Sequence, residues 1–141
     1  MSTDALARYP DLAGRTILLV EDNDVNRAVA LAMLKPLGAR VDVARNGLEA
    51  LAAARLHHYD VVLMDCQMPE LDGFEATRRI RAHGGPCAEV PIVALTANVL
   101  PSDREACLAA GMNDFLGKPV KLDVLRATLQ RWLRSASAAR V

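Results

Sequence analysis

The chain has 141 residues, 52% of them apolar and 24% charged, which is the size and balance of one globular domain rather than two. Its 17 basic and 17 acidic residues give a formal net charge of zero, excluding the field of one sign that gathers nucleic acid or anionic lipid. Three cysteines, Cys66, Cys87 and Cys107, are an odd number without metal-type spacing, so neither a disulfide framework nor a zinc site is expected and a reducing compartment is. Met1 to Pro10 lacks the apolar run of roughly 7 to 15 residues of a signal peptide, and no stretch approaches the roughly 18 apolar residues of a membrane span. The expectation is a soluble, cytoplasmic segment with no membrane contact.

Short apolar runs alternate with longer segments of helical period, the pattern of strands joined by crossover helices. Ile17-Leu18-Leu19-Val20 predicts the first strand. It runs into Glu21-Asp22-Asn23-Asp24, after which Val25, Val29, Met33 and Leu34 recur at helical spacing until Pro36 and Gly38. Val41 and Val43 mark a brief second strand, and Asn46 caps a helix through Leu48, Leu51 and Leu56. Val61-Val62-Leu63-Met64 ends at Asp65, and Pro69 and Gly73 punctuate the loop before a helix near Phe74 to Arg81. Gly84, Gly85 and Pro86 lead to a fourth strand, Pro91 to Leu95, which ends at Thr96. Ser102 with Glu105 reads as a capping box and Gly111 as the stop of the next helix. A short fifth strand at Asp114-Phe115-Leu116 ends at Lys118-Pro119, and Leu122, Leu125, Leu129 and Trp132 form one stripe of a final helix. The domain boundaries expected are a flexible extension over 1–14, a folded unit over 15–134 and a flexible tail over 135–141.

Strands of near-continuous Val, Ile and Leu are buried on both faces, so helices should cover both sides of a parallel sheet. A doubly wound five-stranded α/β fold with order 2-1-3-4-5 fits best. Ligands of such sheets bind beyond the carboxyl ends of the strands, near the point where strand order reverses. Those ends carry Glu21 and Asp22, Asp65, Thr96 and Lys118.

With strands one and three adjacent, three carboxylates converge. Two unit charges about 4 Å apart repel by roughly 4 kcal/mol at an effective dielectric near 20, so the trio must hold protons or share a cation. All-oxygen ligation with room for a phosphate oxygen suits Mg²⁺ better than zinc. Asp65 can act as a nucleophile towards phosphorus. Lys118 then supplies charge for the phosphoryl oxygens, Thr96 a hydroxyl donor, and the backbone carbonyl of Gln67 a further metal ligand. No glycine-rich cradle follows strand one, so nucleotide binding is poorly supported and the phosphoryl donor is expected on another macromolecule.

Leu19-Val20-Glu21-Asp22-Asn23, Leu63-Met64-Asp65-Cys66-Gln67-Met68-Pro69, Asp72-Gly73, Ala94-Leu95-Thr96-Ala97 and Lys118-Pro119 stand in the order and at the spacing of a known family. Over about residues 15 to 134 the chain resembles the receiver domains of two-component response regulators. The resemblance implies that Asp65 accepts the phosphoryl group, that Glu21 and Asp22 bind Mg²⁺, and that Thr96 and Lys118 contact the phosphoryl oxygens. It implies a cis Lys118-Pro119 peptide. It also implies an aromatic switch three residues before the lysine, here Phe115 where tyrosine is common, coupled to Thr96 and altering the face of helix four, strand five and helix five. Glu21, where the family commonly has aspartate, is expected to reach the metal through water.

The segments from Glu21 to Arg27 and from Met64 to Arg79 look most like receivers of hybrid sensor histidine kinases. Expected partners are a histidine kinase or a histidine phosphotransfer domain, with a phosphorylation-linked dimer as a further possibility. The chain is then a stand-alone regulator or a receiver cut from a longer kinase, catalysing its own phosphorylation and dephosphorylation.

Other residues have plainer readings. Gln67 and Asn98 either tune water access or are solvated loop residues, and Cys66 reads as a buried thiol. His57 and His58 fit a helix end and His83 a glycine-rich loop, none of them catalytic. Asn26, Val29 and Met33 are divided between docking a phosphodonor helix and facing the sheet, and Trp132 anchors the last helix. Two rival functions are a receiver that signals without phosphorylation and a metal-dependent phosphatase. The phosphatase lacks the second aspartate expected two residues after Asp65, where Gln67 stands.

Overall fold

The computed structural model describes residues 12–68, 71–97 and 100–140, with side chains as far as Leu133. Strands β1 (Thr16–Val20), β2 (Arg40–Ala44), β3 (Val61–Asp65), β4 (Ile92–Thr96) and β5 (Asp114–Gly117) alternate with helices α1 (Asp24–Leu34), α2 (Gly47–Leu56), α3 (Gly73–His83), α4 (Pro101–Ala110) and α5 (Leu122–Arg140). Every strand pairing is parallel, and the order is β2-β1-β3-β4-β5, as the sequence predicts.

The apolar runs produce this sheet because each strand feeds two cores at once. Leu18, Val20, Val62, Met64, Ile92 and Ala94 point to one face, where α2, α3 and α4 cover them with Ala50, Leu51, Ala76, Ile80 and Cys107. Ile17, Leu19, Val61, Leu63, Val93 and Leu95 point to the other, beneath Leu34 of α1 and Leu125, Leu129 and Leu133 of α5. All five residues of β3 and of β4 are buried, whereas the edge strands β2 and β5 are partly open. Full burial of each large aliphatic chain contributes about 1.5–3 kcal/mol, so each central strand stabilises the fold more than the partly open edge strands do.

Side-chain caps set the helix starts that face the site. Asn23 Oδ1 accepts from the Asn26 amide at 2.9 Å, Asn46 Oδ1 from Glu49 at 2.8 Å and Asp72 Oδ1 from Glu75 at 2.9 Å. At the opposite edge of the sheet Arg81 acts as a clamp. Its guanidinium donates to Gly111 O at 3.0 and 2.8 Å, Ala88 O at 3.0 Å, Val90 O at 2.7 Å and Asn113 Oδ1 at 2.8 Å, tying α3 to the segments entering β4 and β5.

Several expectations need correction. α4 starts at Pro101 with Leu100 as its N-cap, so Ser102 is inside the helix; Pro101 presets the first turn and Asp103 takes the Leu100 amide at 3.2 Å. His83 closes α3 rather than lying in the loop. The core stripe of α5 is Leu125, Leu129 and Leu133, while Leu122 is 45% exposed. On α1, Val25 and Val29 face outward at 70% and 49% exposure, and only Leu34 of that helix is fully buried. Leu12, placed by the sequence in the loose extension, is fully buried in the second core, because its apolar side chain closes the cluster beside Leu34 and Leu37. The tail expected from Ser135 continues α5 as far as Arg140, since Ser135 to Ala139 contains no helix breaker. Pro69, Asn98 and residues 1–11 lie outside the described residues.

Trp132 anchors α5 as predicted: its Nε1 donates to Asp114 Oδ2 at 2.9 Å, an oxygen that Arg131 also reaches at 2.9 Å.

The corrected stripe makes a direct contrast. Leu129→Ala should cost about 2–5 kcal/mol in urea unfolding, and Leu122→Ala should stay within about 0.5 kcal/mol. Equal losses would show that α5 packs on a different face.

Candidate functional site

The carboxyl ends of β1, β3, β4 and β5 lie along one edge, and the sequence-predicted residues meet there. Glu21 follows β1, Asp65 ends β3, Thr96 ends β4 and Lys118 follows β5. Glu21, Asp65 and Thr96 are buried, while Asp22 and Gln67 are exposed. One carboxylate oxygen from each of Glu21, Asp22 and Asp65 lies within 4.8 Å of the others, a grouping that could hold a metal ion.

Lys118 closes the cluster. Its Nζ sits 3.1 Å from Glu21 Oε1 and 3.1 Å from Asp65 Oδ1, so a lysine already supplies part of the positive charge that three crowded carboxylates demand. Its amide donates to Thr96 O at 2.8 Å, which ties the lysine to the end of β4, and the Lys118-Pro119 peptide is cis as the resemblance implies.

The electrostatics follow from this crowding. Burial, then a hydrogen bond with Asp65, pushes the Glu21 carboxyl from 4.5 up to about 7, against the pull of the Asn23 amide and Lys118. Burial opposes the Lys118 charge, yet the hydrogen bonds it donates to Glu21 and Asp65 outweigh it and hold the ammonium above its ordinary range. The Cys66 thiol, raised by burial and then by Cys107, stays protonated and is a poor nucleophile, in keeping with its reading as core.

Gln67 donates its amide to Asp65 Oδ1 at 3.1 Å, the same carboxylate oxygen that Lys118 approaches. The histidines stand apart: His57 caps the end of α2, and all three are exposed.

Two residues were not assigned a role from sequence. Arg27 reaches back from α1 to the Glu21 carbonyl at 3.0 Å and pairs with Asp24, so it holds the acidic loop and withdraws Asp24 from the cluster. Its place four residues beyond the caplike Asn23 is the available signal, since it brings a side chain back over the first turn. Gly73 read as loop punctuation and as part of the Asp72-Gly73 match, with no structural role attached. A Cβ there would stand 2.3 Å from Asp65 O and 3.0 Å from Cys66 Cα, so glycine is required for α3 to start against the backbone of the acidic strand.

Asn26, Val29 and Met33 of α1 line a cavity of about 190 Å³ together with Glu21, Lys118 and Pro119. The outward residues of α1 are therefore continuous with the acidic site.

A family model for the response regulator receiver domain matches residues 17–130. The chain belongs to that family.

This receiver is 42% identical over 142 residues to histidine kinase 5 of Arabidopsis thaliana, covering 83% of the chain and 15% of the relative. It is 48% identical over 128 residues to hybrid signal transduction histidine kinase B of Dictyostelium discoideum, covering 83% of the chain and 6% of the relative. It thus spans only a small part of these curated relatives. Among solved structures, the receiver domain of a Pseudomonas aeruginosa sensor histidine kinase with a magnesium ion coordinated in its active-site cleft is 55% identical, at a TM-score of 0.79 over 86% of this chain and 98% of that one. A chain of the Saccharomyces cerevisiae complex between a histidine phosphotransfer protein and the receiver of its downstream response regulator is 32% identical, at a TM-score of 0.79 over 86% and 90%. The receiver fold and its place in two-component and phosphorelay signalling are thereby shown.

Two tests address the site's construction. Gly73→Ala should destabilise the receiver by about 1–3 kcal/mol in urea unfolding, the range for an overpacked position, and should weaken Mg²⁺ binding measured by calorimetry; wild-type values would show that the backbone at Asp65 yields freely. The second is a pH dependence. Glu21 binds a proton in the folded state up to about pH 7 but releases it near 4.5 when unfolded. In chelator its contribution to stability is therefore full below about 4.5 and lost as pH rises through 7. Glu21→Gln should flatten that decline in urea midpoints, and an unchanged slope would assign it to other groups.

Proposed function

We propose that Asp65 is the phosphoacceptor of this receiver and that Glu21, Asp22, Asp65 and the Gln67 carbonyl hold Mg²⁺ beside it. The observation that carries this is the Lys118 ammonium lying 3.1 Å from both Asp65 and Glu21, within a grouping of three carboxylates. The donor set fits the ion: it is all oxygen, one member is exposed and able to exchange water, and it is rich in negative charge. Bound Mg²⁺ supplies neutralisation of charge on the transferring phosphoryl oxygens.

The chain's own groups do the rest. The Gln67 amide and Lys118 orient the Asp65 carboxylate. A carboxylate oxygen forms a bond to phosphorus while the phosphorus–nitrogen bond of a phosphohistidine breaks; the bonding pair stays on the ring nitrogen, and a ring proton leaves the imidazole neutral. Lys118 then neutralises a phosphoryl oxygen, and Thr96 offers its hydroxyl to another. Slow hydrolysis of the acyl phosphate returns the domain to rest. Movement of Thr96 towards the phosphoryl group frees space for Phe115, altering the face of α4, β5 and α5.

The donor is a histidine kinase or a histidine phosphotransfer domain, docking over Asn26, Val29 and Met33, where the exposed Val29 and the half-buried Met33 border the acidic site. The receiver works in the cytoplasm, within a hybrid kinase or as a stand-alone regulator, its folded unit now extended to Leu12, with a phosphorylation-linked dimer as a possible output. None of the described helices is long and apolar enough to cross a membrane.

Incubation with a small phosphodonor and Mg²⁺ should add one phosphate by mass. Asp65→Asn or excess chelator should abolish the adduct, and Lys118→Ala should slow its formation by roughly 100-fold, the scale of losing one preorganised charge donor. An adduct that survives Asp65→Asn would place the acceptor elsewhere.

A further inference from the structure

Phe115 and Thr96 point to the same face of the sheet. β5 pairs with β4 so that Ala94 faces Phe115 and Thr96 faces Gly117, which leaves the ring one diagonal step from the Thr96 hydroxyl, with no side chain at the neighbouring position of its own strand. The ring is half-buried against the core beneath α4. Above it lies Arg104 of α4, exposed to solvent, with its guanidinium carbon 4.5 Å from the ring centroid.

We infer that Arg104 is a positioning residue for Phe115: its guanidinium holds the aromatic ring in its place beside α4 and is released when the ring moves towards Thr96. This rests on the proposed coupling of Thr96 and Phe115. Tyrosine can fix such a ring through a directional hydrogen bond from its hydroxyl, and phenylalanine cannot. Packing on apolar neighbours is available to the ring wherever it finds a buried seat, so by itself it discriminates weakly between two positions. The guanidinium contact discriminates because it exists only where the ring face lies under α4. A conformational equilibrium responds only to interactions that differ between its two states, and this is one.

The contact is solvent-exposed, and cations over aromatic faces at exposed sites contribute about 0.5–1 kcal/mol, a roughly two- to fivefold bias. Arg104 thus sets how far the resting state is favoured without touching the chemistry at Asp65. Phosphorylation has to overcome that bias before the face of α4 and β5 changes.

The chain contains two phenylalanines, Phe74 and Phe115, so labelling with 4-fluorophenylalanine gives two fluorine resonances, assigned through Phe74→Leu. In Mg²⁺, the Phe115 resonance is compared with and without a small phosphodonor in the wild type, Arg104→Met and Arg104→Lys. Arg104→Met keeps most of the aliphatic stem and removes the charge. It should move the unphosphorylated Phe115 resonance towards its phosphorylated position, by about a two- to fivefold change in population, and leave Phe74 in place. Arg104→Lys should move it less. If the wild-type Phe115 resonance responds to phosphorylation but is unmoved by Arg104→Met, the role of Arg104 is overturned and the switch reading stands. If the wild-type resonance ignores phosphorylation of Asp65, the switch reading fails and this inference with it.

Discussion

The partly buried contact of Lys118 with Glu21 and Asp65 is the interaction on which the site depends. Two carboxylates inside a protein repel each other and lose their hydration, and the ammonium 3.1 Å from each is what lets them stay close and largely dry. The compensation is incomplete, as the elevated Glu21 carboxyl shows. Burial is the larger cause and the neighbouring Asp65 the next, so Glu21 tends to keep a proton that the proposed divalent cation would displace. A site balanced fully by lysine would gain little from a metal.

The fold delivers this chemistry by keeping the three central strands, β1, β3 and β4, free of charge until they stop. β1 and β3 are adjacent, so the residues after them converge, and β4 and β5 add Thr96 and Lys118 from one side. The helices hold their starts with local caps, and Gly73 lets α3 begin against the carbonyl of Asp65. Sequence and position therefore cooperate: the strand interiors are apolar enough to fix the register, and the register fixes where the polar ends meet.

Much of this was legible in the residues. The strands announce themselves as runs of Val, Ile and Leu, and their polar ends followed directly, because a one-residue slip would bury a charge in either core. Helix faces were harder to read. Val25, Val29 and Leu122 fit an apolar period yet point outward, since spacing identifies a stripe but not whether the sheet or solvent lies opposite. The capping residue of α4 was missed because Ser102 and Glu105 satisfy a local pattern that Pro101 pre-empts. Arg27 and Gly73 act through backbone atoms of Glu21 and Asp65, contacts that side-chain chemistry does not signal.

The Arg81 clamp has a mechanical consequence. It grips the carbonyl of Gly111, immediately after α4, and fastens it to the segments that enter β4 and β5. The far end of α4, at Leu100 and Pro101, has no comparable tether among the described residues. If Thr96 moves as proposed, the helix would swing like an oar on its rowlock, with the largest travel at the blade, where 64% of Leu100 already faces water.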